Sequence, residues 1–443
     1  KNKQEEEKEN NKTHNVISIK DKLKEFRKQQ KRRLESIRRK IKGKKTLIIA
    51  HRGASGKRPE HTLEAYARAI EEGADYIEQD VVMSKDGEIL VCHDRELSGF
   101  TDIEDQRAEF GERVTKLKQD HEKGKPKYYT DWFAEDYPFE KLKKLNIRQR
   151  YEFRGKGFDG LYRIYKMKEV LEWVEATNKN IGLYIELKNP HYLNTIGLNI
   201  QQKLLDLLST YGYLEETKDG IYKMKENKKV IIQCFEATTL KWFKERTIGV
   251  PLIQLIYSNV KKMQPDNPKN TTYEVMLTDE GLKDVASYAH GIGPHKIQVV
   301  KQDAESGDIE ETDLIERAHK LNLAVHPYTF RADEYFLMKG KTYEDEINMF
   351  MDLDVDGFFT DFPGETKQIV NAYEGYNDSK MEQWQTIILT IVSSTEIGLT
   401  FIFIAIAAGI HHYTSKKRAN QKDDEPKMPF VLPEPSLDTL PAA

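Results

Sequence analysis

The stretch from position 51 to position 94 contains side chains that together could bind a metal, hold a phosphate and transfer protons. They are two imidazoles, one guanidinium and two carboxylates: His51, Arg52, Glu78, Asp80 and His93. Each lies in or directly after a short apolar run that is typical of a β-strand. Glu78 and Asp80 are two residues apart, so on a strand both point to the same face.

A third carboxylate of this kind occurs at Glu186, in the sequence YIELKNP. Carboxylate oxygens without cysteine are ligands that hard cations prefer, so Glu78, Asp80 and Glu186 predict a site for one divalent cation, Ca2+ or Mg2+. A single carboxylate at a strand end is more often a salt-bridge partner or a helix cap. A pair in Glu-x-Asp register, close to a His-Arg-Gly sequence, favours the metal site over that explanation.

His51 and His93 would be read as core histidines if each stood alone. Together they flank the carboxylate pair, and two imidazoles can share proton removal from a nucleophile and proton delivery to a leaving oxygen. Arg52 and Lys188 offer positive charge to a phosphate, Arg52 as a bidentate fork and Lys188 as a point charge. These residues therefore predict chemistry on a phosphate ester.

The elements that would position these residues alternate between apolar strands and helical patterns from Thr46 to about position 374. This alternation indicates a parallel sheet covered by helices, and polar strand ends are typical of the C-terminal face of a TIM (β/α)8 barrel. Nine strands are predicted for eight barrel positions: 46–51, 75–82, 88–93, 181–187, 229–235, 251–256, 290–294, 323–328 and 356–360. The strands at 88–93 and 290–294 are the two candidates for a place outside the barrel.

Two further regions surround or interrupt this domain, which we place at 46–375. Residues 99–165 fit no strand–helix period and predict an insertion over the active face, with a lid as one hypothesis. Residues 1–45 predict a polar tail and a basic amphipathic helix, with fourteen Lys or Arg against three acidic residues between Lys20 and Lys45. Such a helix either packs on its own domain, contacts anionic lipid or binds a partner helix.

Residues 384–412 predict a single transmembrane helix. The run from Thr386 to Ile410 is mostly apolar, and at ~1.5 Å per residue it reaches about 37 Å, more than a bilayer core of about 30 Å. Glu396 within this run should be protonated or partnered inside a protein assembly. The basic Lys416–Arg418 segment predicts a cytosolic or matrix location for the polar tail at 413–443 and puts the catalytic domain on the opposite side. Both the mitochondrial inner membrane and the secretory or plasma membrane fit this prediction.

Five motifs together resemble the glycerophosphodiester phosphodiesterase family, and most of all its bacterial periplasmic-like type. They occur in family order as AHRGASGKRPEHT (50–62), GADYIEQDVVMSKDGEILVCHD (73–94), YIELKNP (184–190), HPYTFR (326–331) and DVDGFFTDFPG (354–364). The resemblance implies a TIM barrel that hydrolyses glycerophosphodiesters to sn-glycerol 3-phosphate and an alcohol.

The resemblance also implies a role for individual residues of this chain. The implied roles are acid–base catalysis by His51 and His93, cation binding by Glu78, Asp80 and Glu186, phosphate binding by Arg52 and Lys188, support of the catalytic site by Glu60, and contact with the glycerol end of the substrate by Phe235 and Tyr328. It says nothing about the basic helix or the C-terminal span, which lie outside the family domain.

The same sequence features allow two readings other than a glycerophosphodiester phosphodiesterase. The main alternative is an accessory subunit of a membrane complex built on a retained enzyme fold, with residues 1–45, Glu396 and the C-terminal tail contacting partner proteins. A phospholipase D-like toxin on the same barrel would usually rely on disulfides, whereas Cys92 and Cys234 are expected to be buried inert thiols. The net charge of −3 points to no particular partner, and we predict no nucleic-acid binding.

Overall fold

The computed structural model describes residues 45–118, 125–264, 266 and 271–375. Within that part of the chain, Thr46–Ile347 and Val355–Asn371 form one compact unit. The predicted basic helix within 1–45, the predicted transmembrane helix at 384–412 and the tail at 413–443 lie outside the described residues. Among the helices that are described, none combines the length and apolar character that crossing a membrane requires.

Eight parallel strands form the centre of this unit. They are β1 (Leu47–Ala50), β2 (Tyr76–Met83), β3 (Gly182–Leu187), β4 (Val230–Cys234), β5 (Leu252–Ile256), β6 (Gly291–Pro294), β7 (Ala324–Val325) and β8 (Gly357–Thr360). From β1 to β7 each strand pairs with the next, and β8 pairs with β1. The Asp356 N–H donates to the Val325 carbonyl at 3.0 Å and the Phe359 N–H to the Pro327 carbonyl at 3.3 Å, which closes the circle. The predicted (β/α)8 barrel is confirmed.

Helices connect these strands. Their bounds are Leu63–Glu71, Met167–Thr177, Pro190–Thr195, Ile200–Thr210, Ala237–Arg246, Asp279–Tyr288, Leu314–Lys320 and Tyr343–Asp352, and residues 363–375 are helical as well. The first begins where the Thr62 hydroxyl accepts a hydrogen bond from the Ala65 N–H, and it buries Ala65, Tyr66 and Ala69. The alternation of strand and helix therefore carries each barrel strand to the next by a parallel crossover.

The two doubtful strands have different outcomes. Ile89–Val91 runs antiparallel to β2 and is a hairpin arm outside the barrel, which confirms the prediction for the strand at 88–93. The other alternative is wrong, because Gly291–Pro294 is barrel strand β6. A Cβ atom on Gly291 would lie 2.7 Å from the Ala324 carbonyl oxygen. The glycine therefore lets neighbouring backbones pack closely, although it weakens the strand signal in the sequence.

The segment at 99–165 contains only short elements. These include helices at Arg107–Phe110 and Phe139–Leu142 and an antiparallel hairpin of Val114–Leu117 with Tyr128–Asp131. Its buried apolar side chains pack against the hairpin arm that follows β2: Phe100, Ile103, Phe110, Trp132, Phe139, Leu142, Leu145, Ile147 and Ile164 with Leu90 and Cys92. The segment therefore has a core of its own that fixes it beside β2.

Candidate active site

The turn after β1 presents its residues through an unusual backbone. Arg52 has a φ of 60°, in the left-handed region that non-glycine residues rarely adopt. The Arg52 N–H donates to Glu78 Oε2 at 2.7 Å, and this hydrogen bond stabilises the turn. Gly53 follows with a φ of 85°, and a Cβ atom there would lie 2.7 Å from the backbone of Ala65. Only glycine therefore fits between this turn and the first helix.

Three predicted cation ligands converge inside the barrel. Glu78 and Asp80 share one face of β2, and Asp80 is paired in register with Glu186 on β3. The Lys188 ammonium lies 3.0 Å from Asp80 Oδ1 and also contacts Glu186 Oε1. Among the described residues, no donor gives either of these buried oxygens a hydrogen bond of good geometry. Asp80 Oδ1 and Glu186 Oε1 therefore lie near the Lys188 ammonium and still have lone pairs available for a ligand.

The charges of this cluster are only partly compensated. Burial, together with the neighbouring Asp80 and Glu186, raises the pKa of Glu78 well above its ordinary value. Burial raises the pKa of Glu186 to about 8, with Asp80 adding to the effect and Lys188 opposing it. Burial also disfavours the charged form of Asp80, but Lys188, His93 and His61 hold its pKa well below the usual range. Buried carboxylates that raise one another's pKa in this way fit a hard divalent cation, whose charge would favour their ionised forms.

His61 is a member of the cluster that the sequence did not single out. Its Nε2 lies 2.8 Å from Asp80 Oδ2 and its Nδ1 lies 3.0 Å from the Tyr66 hydroxyl. Candidate ligand atoms of His61, Glu78 and Asp80 all lie within 4.8 Å of one another. Because the ionised Asp80 can only accept, Nε2 carries the proton and Nδ1 accepts from Tyr66. Both ring nitrogens of His61 are therefore engaged, and its role is to orient Asp80. Glu186 is the better cation ligand, because its Oε1 still has lone pairs available.

His51 is oriented by a carboxylate at the end of β8. Its Nδ1 lies 2.7 Å from Asp361 Oδ1. The other oxygen of Asp361 accepts hydrogen bonds from Arg154 at 2.7 Å and Arg331 at 2.8 Å. Although burial opposes it, Arg331, His51 and Arg154 hold the pKa of Asp361 well below its usual range. Asp361 is therefore an acceptor, His51 carries its proton on Nδ1, and Nε2 has a free lone pair.

His93 is held in the same way. The hairpin arm brings it beside the barrel, where the Cys92 N–H donates to the Asp80 carbonyl at 3.1 Å. His93 Nδ1 lies 2.7 Å from Asp94 Oδ1, and Arg150 donates to Asp94 Oδ2 at 2.7 Å. His93, Arg150 and Arg52 hold the pKa of Asp94 well below its usual range against the effect of burial. His93 Nε2 is therefore also the basic nitrogen.

Burial keeps both imidazoles uncharged. Burial and, to a smaller extent, the nearby Arg52 guanidinium lower the pKa of His51 to about 3 and that of His93 to about 4. Both rings are therefore neutral at pH 7 and able to accept a proton. The side chain of His93 is 29% exposed and that of His51 is 11% exposed, so His93 is the more open to solvent.

Glu60 links the two sides of the site. It accepts a hydrogen bond from Arg52 Nη1 at 2.8 Å and from Arg150 Nη2 at 2.6 Å. These two cations hold the pKa of Glu60 below its usual range despite burial. Arg150 and Arg154 come from the irregular segment at 99–165, which therefore supplies one arginine behind each histidine. Sequence reasoning missed both, because that segment has no period that would place its side chains.

The predicted glycerol contacts lie further round the barrel. The rings of Phe235 and Tyr328 are 6.2 Å apart at their centroids, and the Lys188 ammonium lies 5.8 Å from the Phe235 ring centre. The Tyr328 hydroxyl donates to the Ile256 carbonyl at 2.9 Å. Phe235 also stacks on Tyr257 at 4.0 Å. The structure thus places Phe235 next to Lys188, with Tyr328 against Phe235.

Fold and site together define a class of protein: a (β/α)8 barrel whose site is suited to hydrolysis of phosphate esters. The chain matches the glycerophosphoryl diester phosphodiesterase family model over residues 51–365. It is 34% identical over 326 residues to a glycerophosphodiester phosphodiesterase of Arabidopsis thaliana, covering 71% of this chain and 83% of that protein. It is 32% identical over 346 residues to a glycerophosphodiester phosphodiesterase of Haemophilus influenzae, covering 72% and 87%. The chain therefore belongs to the glycerophosphodiester phosphodiesterase family of enzymes.

A solved structure supports the fold. A Silicibacter pomeroyi protein aligns with a TM-score of 0.52 and 20% identity, covering 74% of this chain and 94% of that one. At this identity the likeness concerns the barrel architecture alone.

Proposed function

We propose that this protein hydrolyses glycerophosphodiesters to sn-glycerol 3-phosphate and an alcohol, with one divalent cation. The observation that carries the proposal is the convergence of two carboxylate-oriented imidazoles with the cluster of Glu78, Asp80 and Glu186 on a family barrel. Two neutral imidazoles and a cluster that favours a cation are the parts that phosphodiester hydrolysis requires.

Glu78, Asp80 and Glu186 would hold the cation, which is either Ca2+ or Mg2+. When bound, such an ion polarises a phosphoryl oxygen and offsets charge that builds up on the phosphorus centre. His61 keeps Asp80 in position from behind, with Tyr66 fixing the proton on the nitrogen that faces Asp80.

Arg52 and Lys188 would bind the phosphate. Arg52 Nε is buried and, among the described residues, has no acceptor in hydrogen-bond geometry, although Asp80 lies 3.3 Å away. A buried guanidinium donor without an acceptor is costly, and a phosphate oxygen would relieve that cost. Lys188 would leave the carboxylates to a cation and turn its ammonium to the same phosphate.

His51 and His93 would carry the protons. The Nε2 of one ring removes the proton from the attacking hydroxyl, either water or a hydroxyl of the glycerol. The other ring first takes up a proton from solvent at Nε2 as the anionic phosphate binds, and then delivers that proton to the leaving alcohol oxygen. Asp361 and Asp94 stabilise the imidazolium that forms at each ring and keep the reactive nitrogen pointed away from themselves. Both carboxylates stay ionised because arginines donate hydrogen bonds to them.

The membrane assignment rests on sequence alone. We propose that residues 384–412 anchor the enzyme as a single-pass membrane protein, with the catalytic domain opposite the Lys416–Arg418 side. The apolar run at Thr386–Ile410 supports this, and Glu396 within it supports contact with a partner protein, as in the accessory-subunit alternative. Alkaline extraction of membranes should leave the full chain in the pellet and release a chain shortened at position 383. Extraction of the full chain would contradict the anchor.

The enzymatic proposal is tested by product analysis. Purified protein is stripped with a chelator and incubated with glycerophosphocholine, alone and with Mg2+ or Ca2+. We expect sn-glycerol 3-phosphate and choline to form only when a divalent ion is restored. Products that form equally with chelator present would refute the metal requirement, and no products under any condition would refute the activity.

A further inference from the structure

The backbone pairing of β6 continues beyond Pro294 and brings His295 to the mouth of the barrel. His295 forms a parallel β-bridge with Tyr328. The Tyr328 N–H donates to the Pro294 carbonyl at 3.0 Å, and the Lys296 N–H donates to the Tyr328 carbonyl at 2.8 Å. Because the two-residue period of the strand extends this far, His295 lies on the same face of the strand as Gly291.

This face of β6 points into the barrel. A Cβ atom on Gly291 would lie 2.8 Å from Ile253 Cδ1, and one on Gly293 would lie 3.7 Å from Ile253 Cγ2. Ile253 belongs to the apolar core inside the barrel. His295 is therefore directed inward at the C-terminal end of its strand, the end at which the residues of the candidate active site lie.

Aromatic contacts connect His295 with the phosphate site. Its ring lies edge-on to the ring of Tyr328, with centroids 5.4 Å apart. Tyr328 in turn contacts Phe235 at 6.2 Å, and the Lys188 ammonium lies 5.8 Å from the centre of the Phe235 ring. Only two rings therefore separate His295 from the ammonium that would bind the phosphate.

His295 has a hydrogen-bond donor that is available to a ligand. The Ile297 N–H donates to His295 Nδ1 at 3.3 Å. Burial, together with Lys296 and Arg331, lowers the pKa of His295 to about 4, so the ring is neutral at pH 7. A neutral imidazole whose Nδ1 is an acceptor carries its proton on Nε2. Within the described part of the chain no acceptor pairs with this N–H, and the side chain is only partly buried.

We propose that His295 Nε2 donates a hydrogen bond to the terminal hydroxyl of the glycerol part of the substrate. This inference rests on the proposed function and adds a residue that would recognise glycerol. With the phosphate on Lys188, the glycerol carbons would lie against Phe235 and Tyr328, and the terminal hydroxyl is the glycerol oxygen farthest from the phosphate. The Tyr328 hydroxyl already donates to the Ile256 carbonyl at 2.9 Å. His295 therefore adds a donor that the rings of Phe235 and Tyr328 do not supply.

The test removes the terminal hydroxyl from the substrate. Values of kcat/KM are measured for glycerophosphocholine and for the 2-hydroxypropyl ester of phosphocholine, which keeps the other hydroxyl. The wild-type protein should prefer glycerophosphocholine by about 2- to 13-fold, the contribution of one neutral hydrogen bond. The variant His295→Phe keeps a ring against Tyr328 but has no N–H, so this ratio should fall to about one.

The matched control is His191→Phe, at an exposed histidine on the helix Pro190–Thr195. This variant should keep the wild-type ratio, and melting temperatures show whether each variant is folded. Equal kcat/KM for the two substrates in the wild type would overturn the assignment. An unchanged ratio in His295→Phe would also overturn it, even if both rates fall, because a phosphate contact or a purely structural role lowers both rates alike. Loss of the ratio in His191→Phe would overturn it as well.

A binding measurement separates this proposal from the activity. We titrate sn-glycerol 3-phosphate and 2-hydroxypropyl phosphate into wild type and His295→Phe by calorimetry with Ca2+ present. The wild type should bind sn-glycerol 3-phosphate more tightly, and the variant should bind the two ligands alike. This preference without turnover would refute the proposed hydrolysis and keep the glycerol contact, whereas turnover without any preference would do the reverse. No binding of either ligand to the wild type would overturn the glycerol contact.

Discussion

Replacing Arg150 by lysine tests whether the insertion is part of the catalytic machinery. Arg150 donates to Glu60 through Nε and Nη2 and to Asp94 through Nη1, and its side chain is 19% exposed. Lysine keeps the charge, but its single ammonium cannot span two carboxylates as the planar guanidinium does. The variant therefore leaves one carboxylate without its cation. This is either Glu60, which binds Arg52, or Asp94, which binds His93.

The size of the effect follows from the bonds that are lost. A hydrogen bond to a buried charged group is worth about 1.5–3 kcal/mol, which corresponds to about a 10- to 150-fold loss in rate if it acts in the transition state. Arg150 touches no substrate in this account, so kcat should fall more than KM rises. Rates of sn-glycerol 3-phosphate release are measured together with the melting temperature.

The matched control is Arg148→Lys. Arg148 lies two residues earlier in the same segment, pairs with Asp105 and has a side chain that is 42% exposed. Surface ion pairs contribute about 0–1 kcal/mol, so this variant should keep its rate within about fivefold. The reasoning is refuted if both variants lose the same activity, or if Arg150→Lys turns over at the wild-type rate with a normal melting temperature.

Three further predictions follow from the same geometry. His51→Ala and His93→Ala should each lower kcat by about 10²- to 10⁴-fold with little change in melting temperature, and a variant that keeps near-normal activity loses its assigned role. Glu186→Gln should weaken the Ca2+- or Mg2+-induced rise in melting temperature, whereas Glu172→Gln on the exposed face of helix Met167–Thr177 should not; equal rises would contradict the ligand role. Because the pKa of His51 falls from 6.5 unfolded to about 3 folded, the unfolded chain binds more protons between these pH values, and stability from this group is lost as the pH falls from about 7 to 5. Urea denaturation should therefore show a smaller loss for His51→Ala than for wild type, and equal losses would refute the buried neutral imidazole.

Much of the fold was predictable because barrel strands carry strong local signals. Long apolar runs alternating with helices indicate a parallel barrel, and the two-residue period of a strand places Glu78 and Asp80 on one face. Strand β6 was doubtful for a local reason, since the glycines that let Gly291–Pro294 pack closely also weaken its strand pattern. The local sequence pattern therefore predicts a strand well where apolar side chains fill the space between neighbouring elements. It predicts a strand poorly where glycines let the backbones pack directly.

The partners of the site residues were not predictable in the same way. Asp361 is separated from His51 by 310 positions, and only the closure of β8 onto β1 brings them together. Arg150 and Arg154 belong to an irregular segment whose path is set by its own small core. Motifs identify residues that perform chemistry, whereas the groups that orient those residues depend on tertiary structure.

The most direct test of the account is a crystal structure of the full chain with Ca2+ and sn-glycerol 3-phosphate. We predict one ion at about 2.3–2.6 Å from oxygens of Glu78, Asp80 and Glu186. The phosphate should lie against Arg52 and Lys188, with Nε2 of His51 and His93 within hydrogen-bond reach of its oxygens, directly or through one water. An ion bound elsewhere, or Lys188 still bridging Asp80 and Glu186 with the phosphate outside the barrel mouth, would contradict the account.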